Sequence, residues 1–187
     1  MKLGTLVLRL VVGGFFVGHG LQKLRGSFGG PGLTGTEAMM EQLEMRPAKQ
    51  NALAAALAET GGGAALVLGA GTPFAAAGLI ATMTTAIRKV HVSNGPWNSN
   101  GGYEYNAVLI AAVTLLAGDG PGKLSLDALI GKKRWGTGWA LFALIAGVVG
   151  STVAIELGKR APAAEAEPEY EIEPEPEPEA SDDPATD

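Results

Sequence analysis

Arg88-Lys-Val-His91-Val-Ser-Asn94-Gly-Pro96-Trp97-Asn98-Ser-Asn100-Gly101-Gly102-Tyr103-Glu104-Tyr105-Asn106 separates two long apolar segments, and its reading decides how the rest of the chain is organised. Nineteen residues hold two cations, a histidine, a carboxylate, four asparagines and three aromatics. A turn needs Gly, Pro and Asn. It does not need ionisable groups set into the helix ends on both sides. In so apolar a chain such groups are costly to keep and mark a candidate site.

Working outward, the apolar segments repeat. The first runs from Leu3 to about Leu24, carries Arg9 and ends in His19-Gly20-Leu21-Gln22-Lys23. That ending is not a small-residue cleavage site, so the segment reads as a membrane helix rather than a signal peptide. A glycine-rich loop from Arg25 to Thr36 follows, then a short amphipathic helix with Met39, Met40 and Leu43, expected to lie in the membrane interface. The second span runs from about Pro47 to Leu68, with Glu59 near its middle. The third runs from about Pro73 to Val92, the fourth from about Tyr103 to Ala117, and the fifth from about Trp139 to Leu157. A spanning helix needs about 20 mostly apolar residues. The expected fold is therefore an all-α membrane protein: an antiparallel four-helix transmembrane bundle over residues 1–130, a basic linker and fifth transmembrane helix over 131–160, and a disordered acidic tail over 161–187.

Charge separates the last part from the others. Residues 161–187 hold eleven of the nineteen acids, six of the eleven prolines and no Lys or Arg. The remainder carries fourteen basic against eight acidic residues, so the overall charge of -5 belongs to the tail. Repeated Glu-Pro pairs repel one another and favour extended, unpacked chain. The absence of cysteine excludes disulfides and thiol chemistry by this chain. Two histidines argue against a multi-His metal site, and no basic stripe supports nucleic-acid binding.

Alternating helix direction places the loops after the first and third spans on one side. His19 and Lys23, then Arg88 and His91, then Asn94, Trp97, Tyr103, Glu104 and Asn106 should converge at one mouth of the bundle. Arg88 and His91, three apart, share a helical face. Glu59 lies deeper, about 18 Å along its helix from Pro47. A lone carboxylate there costs about 2.5–3.5 kcal/mol, so Arg9 or Arg88 is expected to pair with it, or it is protonated. The plainest role of such a pair is to fix helix packing. The small residues around it, Ala55, Ala58, Gly62 and Gly63, indicate close helix contact. Trp97, Tyr103 and Tyr105 fit an aromatic belt at headgroup level; alternatively they line a pocket for a quinone head.

Several of these segments together resemble the DoxX family of bacterial integral membrane proteins. They are His19-Gly-Leu-Gln-Lys-Leu24, Phe28-Gly-Gly-Pro-Gly32, Arg46-Pro47, Glu59-Thr-Gly-Gly62, Thr72-Pro73, Val90-His91, Asn94-Gly-Pro-Trp97 and Gly102-Tyr-Glu-Tyr-Asn106, spread over residues 3–130. The resemblance implies a four-helix bundle in the bacterial cytoplasmic (inner) membrane; the fifth span and acidic tail depart from that pattern. It also implies a role as membrane anchor or subunit of a redox or oxidative-stress complex, with soluble partners such as a superoxide dismutase or a sulfurtransferase. A quinone-binding subunit of a sulfur-compound:quinone oxidoreductase is the alternative, with quinone the one cofactor in view. A small-solute or proton pathway, suggested by Glu59 at depth, is the third reading. Plain counting of Lys and Arg favours the side opposite the amino terminus as cytoplasmic, but several of those cations belong to the candidate site; the Lys132-Lys133-Arg134 cluster favours a cytoplasmic amino terminus instead.

Overall fold

The computed structural model describes residues 3–162, so the expected tail falls, beyond its first two residues, outside the described part. The described chain is all α. Its helices are α1 (Leu3–Arg25), α2 (Gly32–Gln42), α3 (Ala48–Leu68), α4 (Thr72–Ala86), α5 (Glu104–Asp119), the single turn α6 (Leu126–Leu129) and α7 (Thr137–Arg160). A π-helical turn, Ile87–His91, continues α4.

The expectation of four spans plus a fifth is corrected here. Three helices, α1, α3 and α7, are long and apolar enough to cross a membrane. The third and fourth segments form helices of 15 and 16 residues. At 1.5 Å per residue these measure about 22–24 Å, short of the roughly 30 Å hydrocarbon core. The sequence conceals this for the third segment because apolar residues run on past the regular helix into the π-turn; the fourth segment, about Tyr103 to Ala117, is short in the sequence itself and α5 extends it by only two residues.

The outward faces of the long helices are apolar. Val7, Val11 and Phe15 of α1, Leu53 and Leu57 of α3, and Leu141, Ile145, Val149 and Val153 of α7 are all exposed. Such continuous apolar surface is lipid-facing. Inside, α4 is the central element, packed against α3, α5 and α7. Its Ala76, Leu79 and Ile80 are fully buried, with Phe16, Leu66, Val113 and Leu116 around them.

Small residues set the crossings. A Cβ on Gly13 would stand 2.7 Å from the Gly63 carbonyl, and one on Gly63 equally close to that of Gly13, so α1 and α3 touch backbone to backbone. Gly147 does the same for α7 on α4, where a Cβ would meet Ile80 at 2.5 Å. α7 is thus part of the packed body. The helix with Met39 and Met40 is likewise no free interfacial helix. It starts at Gly32, packs on α1 and α3, and buries Thr36 and Met40.

One end of the bundle is locked by Asp127. Its carboxylate accepts from the Gly71 N–H (2.7 Å), the Thr72 N–H (3.1 Å), the Thr72 hydroxyl (2.8 Å) and the Trp135 indole (3.0 Å). The first N–H groups of a helix lack internal partners and carry partial positive charge, and here a residue more than fifty positions away supplies the cap for α4. Arg9 enters the same corner, donating to the carbonyls of Pro121 (2.5 Å) and Leu124 (2.6 Å). It therefore does not pair with Glu59.

Candidate functional site

The opposite end holds a cavity of about 480 Å³ bordered by α1, α2, α3, α4, the π-turn, α5 and α7. Such a volume suits a small molecule. Its polar corner is Lys23 Nζ against Glu59 Oε2 at 2.6 Å. The Glu59 side chain is 4% exposed and that of Lys23 22%. This is the pair the depth of Glu59 demanded, made by Lys23 rather than by Arg9 or Arg88. It forms because α1 and α3 cross so tightly: Gly20 leaves no room for a Cβ against Thr60 and Ala56, and one turn later Lys23 reaches Glu59.

His19 and His91 both border the cavity. His91 Nδ1 lies 2.7 Å from the Gly101 carbonyl. A carbonyl only accepts, so Nδ1 carries the proton, and in the neutral ring Nε2 is the basic nitrogen. His19 Nδ1 meets the Gln22 side-chain oxygen at 3.0 Å. Asn106 also reaches the cavity, its amide donating to Met83 sulfur at 3.4 Å.

The other expected site residues take different work. Arg88 is not on the cavity wall; it donates to the Thr152 hydroxyl at 2.9 Å on the exposed side of α7. The π-turn is the reason. Its wider i→i+5 winding changes the angle between residues three apart, so Arg88 and His91 no longer share a face. Asn94 donates to the Gly101 carbonyl (3.2 Å), and Glu104 accepts the Asn98 N–H (2.7 Å). Both shape the loop. The Tyr103 N–H donates to the Gly95 carbonyl at 3.2 Å just before α5. Trp97 is 63% exposed, as an aromatic belt requires. Tyr105, by contrast, borders the cavity.

Sequence reasoning missed the apolar wall. Met39, Met40, Met45 and Met83, four of the chain's five methionines, all border this cavity. Thioether chains are flexible and polarizable and adapt to varied ligands. The signal was available as a cluster of three methionines within residues 39–45, but only tertiary packing brings Met83 across to them. The Thr85–Ser151 hydroxyl pair (2.9 Å), joining α4 to α7, was also missed.

Fold and cavity together define a multi-pass α-helical membrane protein that contacts lipid and holds a half-open, mostly apolar chamber with a charged corner. Residues 4–92 match the family model described as DoxX, and that stretch belongs to the DoxX family of membrane proteins. The matched part supplies His19, Lys23, Glu59, His91 and all four cavity methionines, and ends before α5 and α7. No curated protein and no solved structure matches the chain.

Proposed function

We propose that the protein is a quinone-binding membrane subunit of a redox complex in the bacterial inner membrane, with the quinone head in the 480 Å³ cavity. The observation that carries this reading is the pairing of an adaptable methionine wall with a partly buried Lys23–Glu59 ion pair in one chamber. A quinone ring is flat and apolar and needs little from its walls beyond contact. Its carbonyl oxygens need donors that strengthen as negative charge develops on reduction. Lys23 offers an N–H⁺ held in place by Glu59. His91, with its proton fixed on Nδ1 by the Gly101 carbonyl, presents Nε2 to take or give the proton that accompanies each electron. The chain has no cysteine to carry sulfur, so electrons come from a partner enzyme.

The test is extraction of the protein purified in mild detergent with native lipid, followed by mass spectrometry of bound small molecules and proteins. Quinone approaching one per chain, lost in Lys23→Met and Glu59→Gln but kept in Arg88→Ala, is the expected result. Soluble redox enzymes co-purifying without quinone would replace this reading with that of a membrane anchor.

A further inference from the structure

A second cavity, about 230 Å³, lies at the opposite end of the bundle, where α1 begins. It is bordered by Thr5, Lys123, Leu124, Lys133 and Arg134. Asp119 is on its rim as well, so three cations stand against one carboxylate there. Among the described residues none of Lys123, Lys133 and Arg134 takes part in an ion pair.

The strap that carries two of these cations is not loose. The Lys132 N–H donates to the Asp127 carbonyl (2.8 Å), the Trp135 indole to the Asp127 carboxylate (3.0 Å), and the Gly136 N–H to the Gly118 carbonyl (2.8 Å). Gly120, at φ 79°, lies flat beneath it: a Cβ there would stand 2.7 Å from the Lys133 carbonyl and the Arg134 Cα. Three exposed cations thus stand around one hollow with a single carboxylate among them, a local excess of positive charge that attracts anions.

The surroundings specify the kind of anion. Leu124 on the cavity wall is 60% exposed, and Leu129 and Ile130, a few residues further along the chain, are 81% and 72% exposed. Trp135 and Trp139 stack edge to face at 5.0 Å and continue into Phe74 and Phe142. Apolar side chains, stacked tryptophans and cations just before the start of a spanning helix are the setting of a lipid headgroup, with acyl chains below and phosphate at the level of the cations. A free phosphate would have no use for the apolar rim. We propose that this cavity binds the phosphate group of an anionic phospholipid.

The full chain in neutral detergent, titrated with phosphatidylglycerol or phosphatidylcholine and read by native mass spectrometry, tests this. Phosphatidylglycerol adducts should form preferentially. Lys133→Gln/Arg134→Gln should weaken them about tenfold or more and leave phosphatidylcholine unchanged. The charge-preserving Lys133→Arg/Arg134→Lys should restore them. Lys159→Gln/Arg160→Gln, the same charge change at the other end of α7, should retain the preference. Equal binding of the two lipids, an equal loss in the Lys159/Arg160 variant, or no rescue by the charge-preserving one overturns the proposal. Displacement of phosphatidylglycerol by inorganic phosphate at matched concentration overturns the lipid assignment in favour of free phosphate.

Discussion

Both ends of the bundle bury a carboxylate, and they use it in opposite ways. Asp127 is 3% exposed and spends its oxygens on donors of its own chain: two backbone N–H groups, a hydroxyl and an indole. Glu59 is also 3% exposed, but its ion pair with Lys23 faces a chamber large enough for another molecule. Burial of charge alone therefore does not separate structure from function. What separates them is whether the group looks onto backbone or onto space. Among the described residues, the end with the larger cavity is the one whose charged pair is turned toward it.

The largest expected effect that sharpens this contrast is Asp127→Ala. It strands four donors at a buried helix start and should cost roughly 3–5 kcal/mol of stability, read as a fall in the thermal midpoint in detergent. Any ligand in the larger cavity should bind the variant's folded fraction normally. A pH titration gives a second view. Burial pushes the Asp127 carboxyl up, but the bonds from Thr72, Gly71 and Trp135 together outweigh it and hold the group below the usual carboxylate range. With the folded value depressed, its contribution to stability is complete above the unfolded carboxylate value near 3.9 and fades as pH falls through the folded one. Wild type should therefore lose stability only in strong acid, and Asp127→Asn should flatten that part of the profile.

Glu59→Gln should come next, at about 2 kcal/mol, less than a sealed pair would cost because Lys23 keeps some contact with solvent. Its loss of quinone should exceed its loss of stability; the reverse order would place Glu59 with Asp127 as architecture. Gly147→Ala should destabilise by about 1–3 kcal/mol by forcing α7 off Ile80, measured by the same melt, with equal effects on both ends. Met83→Leu conserves volume and should cost under about 1.5 kcal/mol, and it should narrow the range of ligands accepted. Arg88→Ala should change binding least of all, since Arg88 lies off the cavity wall and donates to Thr152 at the surface of α7. A large binding defect there would redraw the chamber.

Much of this was legible residue by residue. A carboxylate in the middle of an apolar helix demanded a partner, and alternating helices carried His19, Lys23, His91 and Asn106 to one mouth. Arg88 was misplaced because a shared face was inferred from regular helical spacing, and no sequence signal marks the π-turn that breaks it. Arg9 was misassigned for a related reason: its length along α1 is readable, but the carbonyls of Pro121 and Leu124 arrive from a turn more than 110 residues away.

By itself the sequence determined the helical class, the positions of the helices to within a few residues, the absence of thiol chemistry and the need to neutralise Glu59. These follow from local hydropathy, turn residues and the cost of charge in an apolar medium. Which cation meets Glu59, which helices are long enough to span, and that four methionines border one chamber were decided only in three dimensions. Contacts such as Gly13 on Gly63 and Gly147 on Ile80 set how close the helices lie and at what register. Register between distant helices is a property of packing, and no single segment encodes it.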